Sequence, residues 1–211
     1  MNDKERYAKV MGWFQENMPN AKSELNFSSP FELLVAVMLS AQCTDARVNI
    51  VTPTLFAAYP DAFSMAKASE KDIYELVKSI SYPNSKAKHL LEASRKLVCD
   101  FGGVVPSTME ELTSLPGVGR KTANVMMAVA FGKPAMPVDT HVFRVSQRIG
   151  FTPNSRTPEE TEKILTANLP QNILSDAHHW LLLHGRYVCT AKKPKCEECG
   201  VKTWCAAYMQ A

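Results

Sequence analysis

The chain has 211 residues, 45% of them hydrophobic and 21% charged, with a formal net charge of +3. That composition is ordinary for a globular protein long enough to bury a core without disulfide staples, and it excludes a disordered chain. No apolar run approaches the roughly 20 residues of a membrane span, and the N-terminus lacks a signal-peptide block, so a cytosolic chain without membrane association is expected.

Only nine glycines are present, and strand-like alternation is scarce. Apolar residues recur instead every three or four positions, which predicts an all-α fold. The first helix is expected over residues 3–18. A polar break at Asn26–Pro30 follows, with Ser29 placed to cap a helix over Phe31–Ser40. Helices are next expected over Thr44–Ala58, Ala62–Ala66, Glu70–Ser79 and Ser85–Phe101, the last stopped by Gly102-Gly103. Ser107-x-x-Glu110 reads as a capping box opening a short helix that ends at Leu115-Pro116. Further helices fit Arg120–Phe131, Thr140–Ile149, Pro158–Asn168 and Leu174–Val188. Turn formers at Pro19–Glu24 and Lys133–Val138 mark boundaries. They predict a central helical domain over 22–133 and a discontinuous one made of 1–21 plus 134–211. The N-terminal helix would then pack with the C-terminal third.

The small net charge hides an arrangement. Leu112 to Arg156 holds six basic residues and one acid, Asp139; Arg186 to Lys195 holds four basic residues and none. Those segments carry a net +9, leaving −6 for the rest of the chain. A basic face on an otherwise acidic protein suits a polyanion such as nucleic acid, although a solvated charge run would read the same way.

Six cysteines fall into two kinds. Cys43 and Cys99 stand alone in apolar helices and read as buried structural thiols. Cys189, Cys196, Cys199 and Cys205 lie within seventeen residues at intervals x6, x2 and x5. Four thiolates at that density in a cytosolic chain point to a metal rather than disulfides. Spacing alone admits both zinc and an iron–sulfur cluster. Lysines between Cys189 and Cys196 place a basic loop beside the site. His178, His179 and His184 lack the His-Glu-x-x-His spacing and read as packing residues.

Leu115-Pro116-Gly117-Val118-Gly119-Arg120-Lys121-Thr122 joins two short helices. A Walker loop would need glycine at Arg120, and a dinucleotide fingerprint would need a third glycine at Thr122 and a preceding strand. What remains is a helix–hairpin–helix, whose backbone grips a DNA phosphate without reading sequence. The helix N-terminus and Arg120 both disfavour an ammonium at Lys121, so that residue reads as a nucleophile rather than a phosphate clamp. Asp139 is placed to cap the next helix; a carboxylate among cations also suits charge stabilisation on a sugar, or proton relay for Lys121.

The hairpin, the Val-Asp-Thr-His-Val-Phe-Arg-Val segment at 138–145 and the x6-x2-x5 cysteines together resemble the endonuclease III family of DNA base-excision-repair glycosylases. The likeness extends to Leu25–Leu34, to Leu39-Ser40-Ala41-Gln42 and to Trp180–Arg186. It implies a helix–hairpin–helix glycosylase fold over essentially the whole chain, with the hairpin at 107–131, two helical domains, and DNA bound across the cleft between them. It also implies a 4Fe-4S cluster on Cys189, Cys196, Cys199 and Cys205. Lys121 falls on the family's Schiff-base lysine and Asp139 on its catalytic aspartate. The implied reaction removes oxidised or damaged pyrimidines from double-stranded DNA and cleaves the abasic site by β-elimination. A monomer associated with the nucleoid is expected.

In the same family Gln42 matches the residue that fills the gap left in the duplex. The wedge loop commonly reads Ile-Gly-Leu-Tyr-Asn-Ser-Lys-Ala. Here it is Ile80-Ser81-Tyr82-Pro83-Asn84-Ser85-Lys86-Ala87, which puts Tyr82 at the wedge position; an aromatic there can stack on the orphaned base. Gly117, Gly119, Arg120, Thr122, Arg144, Lys192 and Lys193 complete the expected DNA contacts, with Arg148 a further phosphate candidate. An adenine-specific mismatch relative is disfavoured, since it carries Ser where Lys121 stands. A non-catalytic DNA-binding protein with a zinc staple would leave Lys121 and Asp139 surplus.

Overall fold

Side-chain caps start most of the helices in the computed structural model, which describes residues 2–210. Asn2, Ser29, Thr44, Asp61, Ser69, Thr108, Asp139 and Thr157 each accept a backbone N–H from the first turn that they open. The helices are α1 (Asp3–Asn17), α2 (Pro30–Ser40), α3 (Asp45–Ala58), α4 (Ala62–Ala66), α5 (Glu70–Val77) and α6 (Pro83–Phe101). They continue as α7 (Met109–Thr113), α8 (Arg120–Val125), α9 (Thr140–Ile149), α10 (Pro158–Asn168), α11 (Leu174–Tyr187) and α12 (Ala206–Met209). No strand occurs among the described residues, so the all-α reading holds.

Backbone packing divides the chain into two units, Ser23–Phe131 and the pair of segments Met1–Lys22 and Gly132–Ala211. The first unit is organised on α2. Every residue from Phe31 to Leu39 except Glu32 is buried, and a helix apolar on all sides belongs at the centre of a core. Around it lie α3, α6 and α8, while α4 and α5 pack on α6. In the second unit α9 and α11 are the main pair, and α1 also packs on α11. There Tyr7 stacks on Phe151 with ring centroids 4.2 Å apart, and Trp180 Nε1 donates to the Met18 carbonyl at 2.9 Å.

Four local expectations are corrected. The short helix before the hairpin is capped by Thr108, not Ser107; Thr108 Oγ1 accepts the Glu111 N–H and donates to the Glu111 carboxylate at 2.6 Å. Helix α6 begins two residues early at Pro83, whose fixed φ suits a first helical position. The helix expected over Arg120–Phe131 is α only to Val125 and then widens into a π turn over Met126–Ala130, which seats Met126 and Ala128 in the core beside α2. Cys99 is exposed, because it lies off the face of α6 that buries Leu90, Leu91 and Leu97; Cys43, past the end of α2, is half-buried.

Candidate functional site

The hairpin in the first unit is anchored by its apolar residues. Leu112, Leu115 and Val118 are buried, and the Val118 N–H donates to the Leu115 carbonyl at 3.1 Å. Gly117 between them has φ +78°, and a Cβ there would stand 2.8 Å from His89 Cβ on α6 and 3.0 Å from Met38 on α2. Only glycine fits that turn. Gly119 is the N-cap of α8 and provides no side chain to its first-turn N–H groups; nothing lies within 4 Å of where its Cβ would be. The start of α8 therefore has no side-chain cap over its first-turn backbone donors and turns a positive dipole end outward.

Arg120 and Lys121 are exposed at that helix start, with Thr122 half-buried behind them. Lys121 makes no side-chain hydrogen bond or ion pair among the described residues. Its amine is thus unencumbered, as a nucleophile must be.

Two loops of the same unit carry Gln42 and Tyr82. Both residues have left-handed backbones, φ 55° and 56°, and they are the only non-glycine residues with positive φ among those described. Both are exposed, Tyr82 to 64%. Left-handed backbone at a non-glycine residue is costly and collects at functional sites. Lys86, which the sequence presents as an ordinary helix lysine, is buried beneath these loops and donates from Nζ to the carbonyls of Leu39 and Ala41 at 2.8 and 2.7 Å.

Asp139 belongs to the second unit. It is the N-cap of α9, and its Oδ1 accepts the N–H groups of both His141 and Val142, at 2.9 and 2.8 Å. The segment before it is held by His178, whose Nδ1 lies 2.8 Å from the Pro137 carbonyl oxygen. One carboxylate oxygen is spent on the cap and fixes the group, which leaves Oδ2 outside the cap.

The four cysteines of the second unit line a single pocket, together with Ile149, His184, Val188, Val201 and Tyr208. Among the described residues no three His, Cys, Asp or Glu side chains converge closely enough to share one ion. Thiols arranged around a cavity, rather than on a point about 2.3 Å from each sulfur, fit a cluster better than a single zinc. Burial pushes the Cys199 and Cys205 thiols up and pulls the His184 imidazole down to about 4, so His184 stands neutral with Nε2 3.6 Å from Cys199 Sγ.

Two arginines hold the cysteine loop to α9. Arg148 donates to Cys189 Sγ at 3.5 Å, to the Thr190 carbonyl at 2.7 Å and to the Ala191 carbonyl at 2.9 Å. Arg144 donates to the carbonyls of Gly185 and Cys189 at 2.8 and 3.1 Å. From sequence both read as phosphate contacts, yet both spend donors inside the protein. Lys192 and Lys193 are exposed on the loop that these arginines fasten, which Thr190 closes by donating from Oγ1 to the Lys193 carbonyl at 2.7 Å.

Residues 35–171 match the model of the HhH-GPD superfamily of base excision DNA repair proteins, and residues 189–205 match the iron-sulfur binding domain of endonuclease III. The chain is 46% identical over 200 residues to endonuclease III of Rickettsia felis, covering 95% of this chain and 93% of that protein. It is 42% identical over 203 residues to endonuclease III of Escherichia coli K12, covering 96% of each. Among solved structures, a trapped endonuclease III–DNA covalent intermediate superposes with a TM-score of 0.94 at 40% identity, covering 100% of this chain and 99% of that one. A thermostable thymine-DNA glycosylase gives a TM-score of 0.87 at 25% identity over 99% of this chain and 98% of that one.

Proposed function

The chain belongs to the HhH-GPD superfamily of base excision DNA repair proteins, and we propose that Lys121 and Asp139 carry its reaction on damaged pyrimidines. It is a DNA glycosylase with lyase activity at abasic sites. The carrying observation is the unpartnered, exposed Lys121 beside the open N-terminus of α8.

The target base sits inside the stack, so its sugar carbon must first be brought out of the duplex. The backbone donors at Gly119, Arg120 and Lys121 hold the phosphate next to the extruded nucleotide. The Lys121 amine, once it has given up a proton, attacks C1′, forming a C–N bond as the glycosidic bond breaks and its electron pair leaves with the base. Asp139 stabilises the positive charge that develops on the sugar and serves as the local proton acceptor. Loss of the amine proton and ring opening give the imine. Removal of a C2′ proton then expels the 3′ phosphate by β-elimination, and water hydrolyses the imine to free Lys121.

Gln42 fills the gap in the duplex and Tyr82 stacks against the orphaned base. Lys192 and Lys193 contact phosphate, whereas Arg144 and Arg148 act by holding their loop. Cys189, Cys196, Cys199 and Cys205 hold a 4Fe-4S cluster, which supplies a structural centre that shapes that loop. The protein works as a monomer, at the nucleoid.

Borohydride trapping tests the assignment. Incubation with thymine-glycol duplex and reductant is expected to give a covalent protein–DNA adduct, absent in Lys121→Gln. No adduct, or one undiminished in the variant, refutes the lysine mechanism.

A further inference from the structure

A buried lysine without a carboxylate partner is an expensive residue, because its charge leaves water. Lys86 is 8% exposed. Its Nζ donates to Leu39 and Ala41, at the C-terminal end of α2 where helix carbonyls lack intrahelical donors and the dipole favours a cation. Burial lowers the ammonium from the ordinary lysine range. A methionine would fill the same space without that penalty, so packing alone does not account for the residue.

What Lys86 joins is more specific than a helix end. Ala41 immediately precedes Gln42 in the chain. Tyr82 is the N-cap of α6, and its carbonyl accepts the Lys86 backbone N–H at 3.1 Å, the first hydrogen bond of that helix, so Lys86 sits in the turn that Tyr82 opens. The Lys86 side chain therefore ties the helix that Tyr82 caps to the residue before Gln42, and so spans the two non-glycine residues with left-handed backbone among those described. A second tie runs parallel, from Arg47 Nε to the Ser79 carbonyl at 3.3 Å. Sparsely populated backbone conformations persist only when their surroundings enforce them.

We propose that Lys86 is a positioning residue that holds Gln42 and Tyr82 in their left-handed conformations as one preformed unit, so that both enter the duplex together when the damaged base is extruded. This rests on the gap-filling and stacking roles assigned above. Its effect falls on opening the duplex and not on bond making at Lys121.

The test uses single-turnover base excision on two substrates, a lesion opposite its normal partner and the same lesion mispaired, where less unstacking is needed. Lys86→Met removes two charge-assisted hydrogen bonds and is expected to slow excision of the paired lesion about tenfold or more, with a much smaller loss on the mispaired one. In a Gln42→Ala/Tyr82→Ala background the same change is expected to cost nothing further, since it acts through those residues. Lys86→Gln keeps one donor and is expected to show the same selective loss in smaller degree, which keeps the question open to experiment if the methionine variant does not fold. Equal slowing on both substrates, no slowing, or full additivity in that background overturns the clamp. If the double alanine variant alone matches the unaltered protein on the paired lesion, the assigned roles of Gln42 and Tyr82 fail, and the clamp fails with them.

Discussion

Asp139 Oδ1 accepts the Val142 backbone N–H at 2.8 Å while also accepting that of His141. The carboxylate thus has a structural task, capping α9, and a proposed chemical one, and two substitutions separate them. Asparagine caps a helix about as well as aspartate, whereas alanine costs about 1 kcal/mol. Asp139→Asn is expected to unfold at nearly the unaltered temperature and yet lose base removal by about a hundredfold or more, the usual scale of a positioned acid–base group. Asp139→Ala is expected to lose both stability and activity. Thermal unfolding beside single-turnover excision checks this; normal activity in Asp139→Asn would reduce the residue to a cap.

The two hairpin glycines make a contrasting pair. Gly117→Ala forces an L side chain to φ +78° and into His89, so a loss of about 2 kcal/mol or more is expected from backbone strain and clash together. Gly119 has φ −92° and open space around its missing Cβ. Gly119→Ala is therefore expected to leave stability within about 0.5 kcal/mol. Its DNA affinity should fall all the same, because the added methyl group would crowd the phosphate proposed to sit at this helix start. Urea unfolding and duplex binding at fixed salt would decide, and unchanged affinity in Gly119→Ala would mean that the α8 N-terminus does not meet DNA.

The helices are legible where a local rule decides them. Ser29, Thr44 and Thr157 stand before apolar periodic segments and cap them, and Gly102 adopts the left-handed conformation that ends α6. The rule becomes degenerate at Ser107-Thr108, since both hydroxyl residues have a glutamate three positions on, and the cap falls to Thr108. At Lys86 it misleads. A lysine on a predicted helix reads as solvent-facing, and only the neighbouring end of α2 reveals that its charge is buried. At Arg144 and Arg148 the sequence shows only the charge, which suggests phosphate; their partners in the structure are carbonyls more than forty residues away in the chain. The cysteine spacing locates the metal centre, but the cavity that they line is tertiary information.

Arg148 donates to one cluster cysteine and to the two carbonyls that follow it in the chain. A lysine offers one ammonium on a flexible stem and cannot reproduce that fork. Arg148→Ala is expected to release iron about tenfold faster under chelator challenge, the equivalent of one lost charge-assisted hydrogen bond. Arg148→Lys should fall between. Decay of the cluster's visible absorption is the measurement, and an unchanged decay rate would remove Arg148 from the support of the loop.

Acid sensitivity follows from the buried histidines of α11. Burial holds the His179 imidazole below its ordinary range, outweighing the opposing influence of its Ser175 hydrogen bond and of Asp176. The unfolded chain accordingly takes up the proton first, so stability increases with pH across the interval between the folded and unfolded values. It is complete above about pH 6.5, the unfolded value, and declines as the pH falls below that point. His184, at about 4 for the same reason, acts in the same direction, so His179→Gln should remove part of the slope and not all of it. Glutamine can still donate to the Ser175 carbonyl while carrying no titratable group. Urea midpoints measured at about pH 5 and about pH 7.5 are expected to differ less in His179→Gln than in the unaltered protein. Equal differences would place the acid sensitivity elsewhere in the chain.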